Sequence, residues 1–356
     1  MGSATAWQLV QRGRDVTLLE QFEPGHTRGA SHGRSRNFNI SYAQPDYVHL
    51  LAEAARLWRE LEAHTGIPLL TEVGIVNHGR PDVYREVAEA LTGVGFDSEF
   101  VDVAEARRRW PGIRFESEVF FTPQAGRLDA DASVTALQTA AVDHGATVRH
   151  STRVRRVDVA ADDRVVLELD VNGVTETLVA RTVVVTVGAW TSKLVGTLAP
   201  VPRLVVTQEQ PAHFAVTDES FVWPGFNHAP RPEDDWWYSP VYGMLTPGQG
   251  VKAGWHGVGP VVDPDHRDFT AEPVQLAALQ RYAREWLPGV DADRLADISC
   301  TYTTTPDSNF VLDRVGPVVV GAGFSGHGFK FTPAIGRTLA DLADRNEPTS
   351  HFFAFR

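Results

Sequence analysis

The chain of 356 residues carries 33 Lys and Arg against 45 Asp and Glu, and its formal net charge of −12 disfavours nonspecific binding to nucleic acid. Hydrophobic residues make up 43% and charged residues 22%, which is typical of a globular protein with a large core, and the length favours two domains. No apolar run reaches the ~18 residues that cross a bilayer. The single cysteine excludes an internal disulfide, which favours a cytoplasmic location.

The first predicted elements are a helix over residues 1–13 and a hydrophobic strand over 15–20 that ends in Glu20. A dinucleotide-binding fold has the order strand, Gly-x-Gly-x-x-Gly, helix, strand and acid. Gly2 matches the last glycine of that fingerprint, and Glu20 matches the acid that accepts hydrogen bonds from a ribose. The first strand and two glycines would precede Met1, so we expect an N-terminally truncated form of this fold. An ordinary helix and strand are the alternative.

Further elements follow from the apolar periodicity. A helix is predicted from Tyr47 to Thr65, with one apolar face made by Leu50, Leu51, Ala54, Leu57, Trp58 and Leu61. Later elements are strands over Glu72–His78 and Glu118–Phe121, helices over Asp82–Leu91 and Ala130–His144, and four short β-branched strands between residues 152 and 187.

The region from 201 to 300 is rich in Pro, Trp and Tyr, with strand patterns at Trp236–Ser239, Tyr242–Leu245 and Gly250–Trp255 and one helix at Ala271–Trp286. A strand at Val318–Val320 and a helix near Pro333–Arg345 end the chain, and Pro333 suits the first turn of that helix. We therefore predict an α/β fold with two interleaved domains. A Rossmann-like nucleotide-binding domain would comprise residues 1–70, 137–200 and 301–356, and an α+β substrate domain with a mixed sheet would comprise 71–136 and 201–300.

Two segments near the end of the chain carry the most specific signal. Cys300 opens the run Cys-Thr-Tyr-Thr-Thr-Thr-Pro-Asp, and a glycine-rich strand-to-helix turn follows from Gly321 to Gly328. A lone cysteine is usually a small buried hydrophobe. The turn and the helix after it could bind an anion at their N–H groups, and a close-packed turn without a ligand is the alternative.

Together with Gly29–Arg36, Gly188–Trp190 and Gly254–His256, which occur in the same order, these segments resemble motifs of the monomeric sarcosine oxidase and N-methyl amino acid oxidase family. Its members are FAD-dependent amine oxidoreductases of the D-amino acid oxidase superfamily, and the resemblance spans nearly the whole chain. It implies that FAD is attached covalently through Cys300, at the 8-methyl carbon of the flavin. It also implies cofactor-binding roles for Gly2, Glu20, Gln21, His32, Ser35, Arg36, Val154, Gly188, Trp190, Cys300, Gly323, Gly326, His327, Gly328, Phe329 and Lys330.

The same resemblance implies catalytic roles for Arg36, Lys252, His256 and Lys330. Lys252 would lie over the flavin and help oxygen react, because a buried cation stabilises forming superoxide. Lys330 would bind a substrate carboxylate, and Arg36 would lie in the loop near the flavin. For His32 and His256 we favour shaping of the flavin surroundings over proton abstraction. Solvated lysines and hydrogen-bonded structural histidines are the ordinary alternatives.

One departure from the family concerns the substrate. Asn39 stands where the sarcosine oxidases have a second carboxylate-binding arginine, and an amide cannot make that bidentate charged contact. The aromatic stretch Trp236–Tyr238, with Tyr242, would line a larger amine pocket or belong to the core of a sheet. We expect no metal, because no CxxC or clustered His/Glu pattern occurs.

The predicted reaction is oxidation of a secondary amine or N-alkyl amino acid to an imine. Hydrolysis would give an aldehyde and an amine, and oxygen would be reduced to hydrogen peroxide. The predicted partners are therefore a small amine and oxygen, with no membrane or nucleic acid. A dehydrogenase of the same fold with another electron acceptor and a flavin-free, non-catalytic protein remain as alternatives.

Overall fold

The computed structural model describes residues 1–345 and 347–356 and has the expected α/β class. The helices are α1 (Gly2–Gln11), α2 (Pro45–Thr65), α3 (Arg85–Thr92), α4 (Val103–Arg109), α5 (Ala130–Asp143), α6 (Thr191–Val195), α7 (Pro273–Trp286) and α8 (Thr332–Asp344). The strands are β1 (Thr17–Leu19), β2 (Arg36–Phe38), β3 (Leu70–Glu72), β4 (Ile75–His78), β5 (Glu99–Val101), β6 (Val119–Thr122), β7 (Gly126–Leu128), β8 (Thr147–Arg149), β9 (Thr152–Ala161), β10 (Arg164–Val171), β11 (Val174–Ala180), β12 (Val183–Val185), β13 (Val205–Glu209), β14 (Ala212–Val216), β15 (Gly225–His228), β16 (Val241–Thr246), β17 (Gly250–Trp255), β18 (Val290–Asp297), β19 (Cys300–Thr304), β20 (Val311–Val315) and β21 (Val318–Ala322).

One eight-stranded sheet joins two distant parts of the sequence. Its order is β18-β14-β17-β16-β15-β4-β6-β5, and its neighbours pair antiparallel except β15 and β4, which are parallel. Residues 75–122 and 212–297 therefore share this mixed sheet. The predicted boundaries between two domains stay a prediction.

The remaining strands form smaller sheets. Parallel pairs join β1 to β8 and β12 to β21, and β20 extends the second of these. The other sheets have the orders β11-β10-β9, β13-β19 and β2-β7-β3. Strand β21 leads through the glycine-rich turn into α8, so the predicted order of strand, turn and helix is confirmed.

Helices α1 and α2 form as the sequence predicts. All six apolar residues predicted on one face of α2 are buried, and Gly66 ends this helix with a left-handed φ of 71°. Helix α1 packs against α8 so closely that a Cβ at Gly336 would lie 2.5 Å from the Cβ of Ala4. At the start of α1, a Cβ on Gly2 would lie 2.8 Å from Thr186 Oγ1, which follows β12. Small residues therefore bring α1 close to α8 and to the end of β12.

No helix in the described part of the chain combines the length and apolar character needed to cross a membrane.

Two predicted strands are wrong. The single strand predicted over Glu72–His78 is split into β3 and β4 at Gly74, whose φ is 71°. The segment Trp236–Ser239 forms turns, because Trp237 N donates to Asp234 O and the ring of Trp237 packs into the aromatic core. Apolar composition alone did not distinguish this packed turn from a strand.

A pair of stacked histidines lies in the core of the large sheet. The rings of His78 and His228 have centroids 3.7 Å apart, and His228 Nδ1 is 3.1 Å from Tyr282 Oη. Burial lowers the pKa of His78 to about 3 and also lowers that of His228, and the charge of Arg231 acts in the same direction. Both imidazoles are therefore neutral at pH 7.

Acid should destabilise the protein through this pair. Between the two pKa values, a histidine whose pKa is lowered by folding takes up a proton on unfolding, which favours the unfolded state. Its contribution to the free energy of unfolding is therefore complete above about pH 6.5 and is lost as the pH falls towards about 3. We expect the free energy of unfolding to fall by about 1.4 kcal/mol per pH unit for each such histidine. Urea unfolding at several pH values should show that the free energy of unfolding falls less steeply below pH 6.5 in His78→Phe than in the wild type. The control His266→Phe, at an exposed histidine, should keep the wild-type slope, and equal slopes in all three proteins would contradict the prediction.

Candidate active site

A cleft of about 1960 Å³ contains nearly all of the predicted site residues. All of them except Ser35 and Gly323 line it, namely Gly2, Glu20, Gln21, His32, Arg36, Val154, Gly188, Trp190, Lys252, His256, Cys300, Gly326, His327, Gly328, Phe329 and Lys330. The cleft also extends between β1 and β12. Its size exceeds the ~300–1,000 Å³ of pockets for drug-sized ligands.

Ser35 and Gly323 support the lining from behind. Ser35 is buried, its Oγ lies 2.6 Å from Thr246 Oγ1, and its carbonyl oxygen accepts hydrogen bonds from Lys252 and Arg36. Gly323 has a φ of 65°, and a Cβ there would lie 2.3 Å from Thr305 Cγ2. These two residues, which the resemblance assigns to cofactor binding, therefore contact the lining residues rather than the cleft itself.

The glycine-rich turn packs against the strand that begins at Cys300. A Cβ on Gly326 would lie 2.2 Å from the ring of Tyr302 in β19, and the φ of Gly326 is 77°. Ser325 N donates to Thr303 O in the same strand. These close contacts bring the thiol and the turn together in one cleft, as their combination in the sequence led us to expect.

Lys330 contributes a buried ammonium group to the cleft. Its Nζ donates to His327 O at 2.7 Å and to Tyr42 Oη at 2.9 Å, and burial lowers its pKa to about 7. The Oη of Tyr42 also lies 3.2 Å from His327 Nδ1. Among the described residues, no carboxylate forms an ion pair with Lys330, so its charge is available to an anionic group in the cleft.

Lys252 contributes a second buried ammonium group. Only 4% of its surface is exposed, and its Nζ donates to Ser35 O at 2.5 Å. Burial lowers the pKa of Lys252 well below its usual value, and the positive charge of Arg36 lowers it further. His32 is close to the same charges: burial first, and then Arg36 and Lys252, lower its pKa to about 3. In the described part of the chain, His32 Nε2 is buried without a hydrogen-bond partner.

Arg36 lies beside the thiol of Cys300. Its Nη2 is 3.8 Å from Cys300 Sγ and donates to Ala30 O at 2.9 Å. The two residues are 264 positions apart in the sequence, so no local signal could have revealed this contact. The sulfur, half-buried at the edge of the cleft, therefore has a positive charge as a direct neighbour.

Tyr302, which the sequence analysis did not select, also lines the cleft. Tyr302 Oη lies 3.3 Å from His256 Nδ1, and burial, followed by the charge of Lys330, lowers the pKa of His256. Tyr302 could have been found from its spacing, because alternate residues of a strand share a face with Cys300. Of the aromatic residues considered for the amine pocket, Tyr242 lines the cleft, whereas Trp236, Trp237 and Tyr238 do not.

A second group of predicted residues lines the cleft around Glu20. Burial would raise the pKa of Glu20, but the side chain of His26 and the backbone N–H of Phe22 outweigh it and lower that pKa. Gly188 has a φ of 53°, and a Cβ there would meet no atom within 4 Å. An elongated ligand can therefore approach the backbone at Gly188 while it extends towards Cys300.

The comparisons with known proteins identify the family. Residues 1–342 match the protein-family model "DAO: FAD dependent oxidoreductase", and the chain belongs to this family. It is 32% identical to "Monomeric sarcosine oxidase" of Bacillus sp. (strain NS-129) over 96% of this chain and 90% of that protein. It is 31% identical to "Peroxisomal sarcosine oxidase" of Mus musculus over 100% of this chain and 92% of that protein. The fold is similar to that of NikD, "an unusual amino acid oxidase", with a TM-score of 0.86, 27% identity, and coverage of 99% of this chain and 94% of that one.

These findings confirm the family resemblance and the predicted class, an FAD-dependent amine oxidoreductase. The residues of the cleft fit FAD. The volume of the cleft is large enough for a dinucleotide, and Gly188 leaves room beside the backbone. The amino groups of Lys252 and Lys330 and the guanidinium of Arg36 are placed where they can face the electron-rich edge of a flavin.

A side chain at Gly188 should interfere with FAD binding. Valine at a positive φ costs about 1–2 kcal/mol of stability, and at Gly188 it would also enter the cleft. We expect Gly188→Val to weaken FAD binding by about tenfold or more, measured as Kd in a Cys300→Ser background, which excludes covalent attachment at this thiol. The matched control is Gly173→Val, because Gly173 has a φ of 85°, meets no atom within 4 Å and lies in the β10–β11 hairpin. Equal FAD affinity in the two variants would contradict the prediction.

Proposed function

We propose that the protein oxidises a secondary amine or an N-alkyl amino acid at its CH–NH bond to an imine. Water then hydrolyses the imine to an aldehyde and an amine, and oxygen is reduced to hydrogen peroxide. FAD supplies the two-electron acceptor when it is bound. The observation that carries the proposal is that Cys300, Lys252 and Lys330 line one cleft in a chain of this family. The names of the two sarcosine oxidases support the substrate class.

Cys300 is the proposed point of covalent attachment. It is the only cysteine of the chain, its sulfur lies at the cleft, and Arg36 is its charged neighbour. The turn containing Gly326 and Gly328, together with the start of the helix after it, would direct backbone N–H groups at the negative charge of the reduced cofactor.

Lys252 is the proposed site of oxygen activation. Its hydrogen bond to Ser35 O holds Nζ inside the cleft. Burial lowers the pKa of Lys252 in the free protein, and a negative charge on a bound, reduced flavin would favour the charged form of Lys252 in this weakly screened site. A fixed charge of this kind stabilises the negative charge that develops when oxygen accepts an electron. The lowered pKa values of His256 and His32 keep both imidazoles neutral and make them weaker bases, so we propose that they shape the flavin surroundings rather than take a proton.

Lys330 is the proposed contact for a substrate carboxylate. Its charge is present below about pH 7 in the free protein and is lost above it, because burial lowers its pKa to about 7. Asn39 also lines the cleft, and its Oδ1 accepts a hydrogen bond from Ser41 N. As a neutral amide, it adds no positive charge. The proposed pocket therefore binds a substrate carboxylate through one lysine only. Because this contact is limited, amines without a carboxylate are also proposed as substrates.

The proposed FAD-binding domain comprises residues 1–70, 137–200 and 301–356, and the proposed substrate domain comprises 71–136 and 201–300. The large sheet, built from residues 75–122 and 212–297, supports this division. The proposed location is the cytoplasm, which the single cysteine supports.

The function is tested with purified protein. We expect a yellow protein whose colour stays with the polypeptide after acid precipitation, a Cys300 peptide heavier by one FAD less two hydrogens, and one hydrogen peroxide per amine oxidised in air. Amine oxidation that requires an artificial acceptor and yields no peroxide would establish a dehydrogenase instead. A colourless protein that cannot be loaded with FAD would overturn the proposal.

Replacing Lys252 should slow the reoxidation of the reduced flavin by oxygen without preventing the flavin from binding. Lys252→Met removes the ammonium group and keeps an apolar chain of similar length, so we expect reoxidation of the reduced protein by oxygen to slow by about 100-fold or more while FAD stays bound. Stopped-flow absorbance measures this rate. Lys193→Met is the control, because Lys193 is a more exposed lysine that pairs with Asp263 and Asp265. Wild-type reoxidation in Lys252→Met would remove this residue from the role.

A second cation at residue 39 should change the substrate preference. A charge-assisted hydrogen bond contributes about 1.5–3 kcal/mol, so Asn39→Arg should raise kcat/KM for sarcosine by about tenfold relative to an N-methylamine without a carboxylate. Asn39→Gln, which keeps a neutral amide, is the matched control. A parallel change for both substrates would show that residue 39 does not contact the carboxylate.

A further inference from the structure

Arg267 is a buried arginine beside Cys300 that the sequence motifs did not include. It lies between β17 and α7, and only 8% of its surface is exposed. Its Nη1 donates to Arg28 O at 2.8 Å, its Nη2 to Ser299 Oγ at 2.6 Å and to Cys300 O at 3.4 Å, and its Nε to Gln208 Oε1 at 3.2 Å. One guanidinium group therefore connects three separate parts of the chain, at residues 28, 208 and 299–300.

Within the described part of the chain, Arg267 forms no ion pair with a carboxylate. The adjacent Asp268 is held by Gln208 Nε2 instead. Burial lowers the pKa of Arg267, and the negative charge of a Cys300 thiolate, ahead of that of Asp268, opposes this shift. A buried guanidinium without a carboxylate partner is costly. Its planar fork of five N–H donors can hold several oxygen acceptors at once in fixed directions, which neither a neutral residue nor the point charge of a lysine can do.

Arg267 and Arg36 hold the same three-residue segment from its two ends. Arg267 binds Arg28 O, and Arg36 binds Ala30 O. Cys300 lies against this segment, with Sγ 4.0 Å from Ala30 O and its own carbonyl oxygen within reach of Arg267. The position of the sulfur relative to the cleft therefore depends on both guanidinium groups.

We propose that Arg267 is a positioning residue for covalent attachment of the flavin, because its forked contacts fix Cys300 against residues 28–30. This inference rests on the proposed attachment at Cys300. In that reaction the S–H bond and one C–H bond of the 8-methyl carbon break and a C–S bond forms. The two electrons and two protons reduce the flavin ring, and oxygen then removes them as hydrogen peroxide. Misplacement of a reacting group by ~1 Å costs about 100-fold in rate.

The test follows attachment after FAD is added to flavin-free wild type, Arg267→Met, Arg267→Lys and Arg107→Met. Arg107 is the matched control, because its guanidinium also binds a carbonyl oxygen, but that of Phe115 rather than one in Cys300 or residues 28–30. The flavin that stays with the protein after acid precipitation gives the attachment rate. Thermal unfolding and the dissociation constant of non-covalent FAD in a Cys300→Ser background show whether each variant folds and binds.

A second measurement follows alkylation of the lone thiol by iodoacetamide in the flavin-free proteins. A small reagent in solution does not depend on how the sulfur is placed relative to the flavin. A positioning role therefore predicts attachment slower by about tenfold or more in Arg267→Met and Arg267→Lys, with alkylation and non-covalent FAD binding within about threefold of wild type. Arg107→Met should match the wild type.

Each other outcome overturns the proposal in a recognisable way. Wild-type attachment in both Arg267 variants, or in Arg267→Lys alone, would show that the fork is not needed. Alkylation that slows in parallel with attachment would assign the effect to thiol reactivity instead. Equal losses in Arg107→Met would indicate a general loss of stability. If the wild type itself binds FAD without an adduct, the attachment fails and this role fails with it.

Discussion

The hydrogen bond from Lys252 Nζ to Ser35 O joins the eight-stranded sheet to the chain segment that leads into β2. It also places a charge where water cannot reach it. The chain has three lysines, all of which line this cleft, and two of them, Lys252 and Lys330, are each only 4% exposed. A buried ammonium group without a carboxylate partner is costly. The architecture of the cleft is therefore best understood as a positive surface that a cofactor with an electron-rich ring compensates.

Long-range contacts assemble this surface. Cys300 and Tyr302 come from β19, Lys252 from β17, Arg36 from β2 and Lys330 from the turn before α8. Each element carries a different task, and the close approach of Gly326 to Tyr302 brings two of them together. Because these groups reach the cleft from different sheets, a small shift of one sheet would change charge, thiol placement and substrate contact at once.

The sequence predicted local structure and motif membership better than geometry. The apolar face of α2 and the bounds of β17 follow from periodicity, and the ordered motifs gave the correct family. The split at Gly74 and the packed turn at Trp237 depend on neighbours far along the chain, so strand patterns misled there. The contacts of Arg36 and Arg267 with Cys300 also join distant residues, and the motifs could not separate Ser35, which supports the lining, from residues that line the cleft.

The central claim is that buried positive charge in this cleft faces the flavin. Positive charge near the ring favours the reduced, anionic cofactor, so it should raise the reduction potential. The most direct measurement is the midpoint potential of the bound FAD by dye-coupled titration at pH 7. The account predicts a value clearly above that of free FAD. A value equal to or below that of free FAD would contradict it.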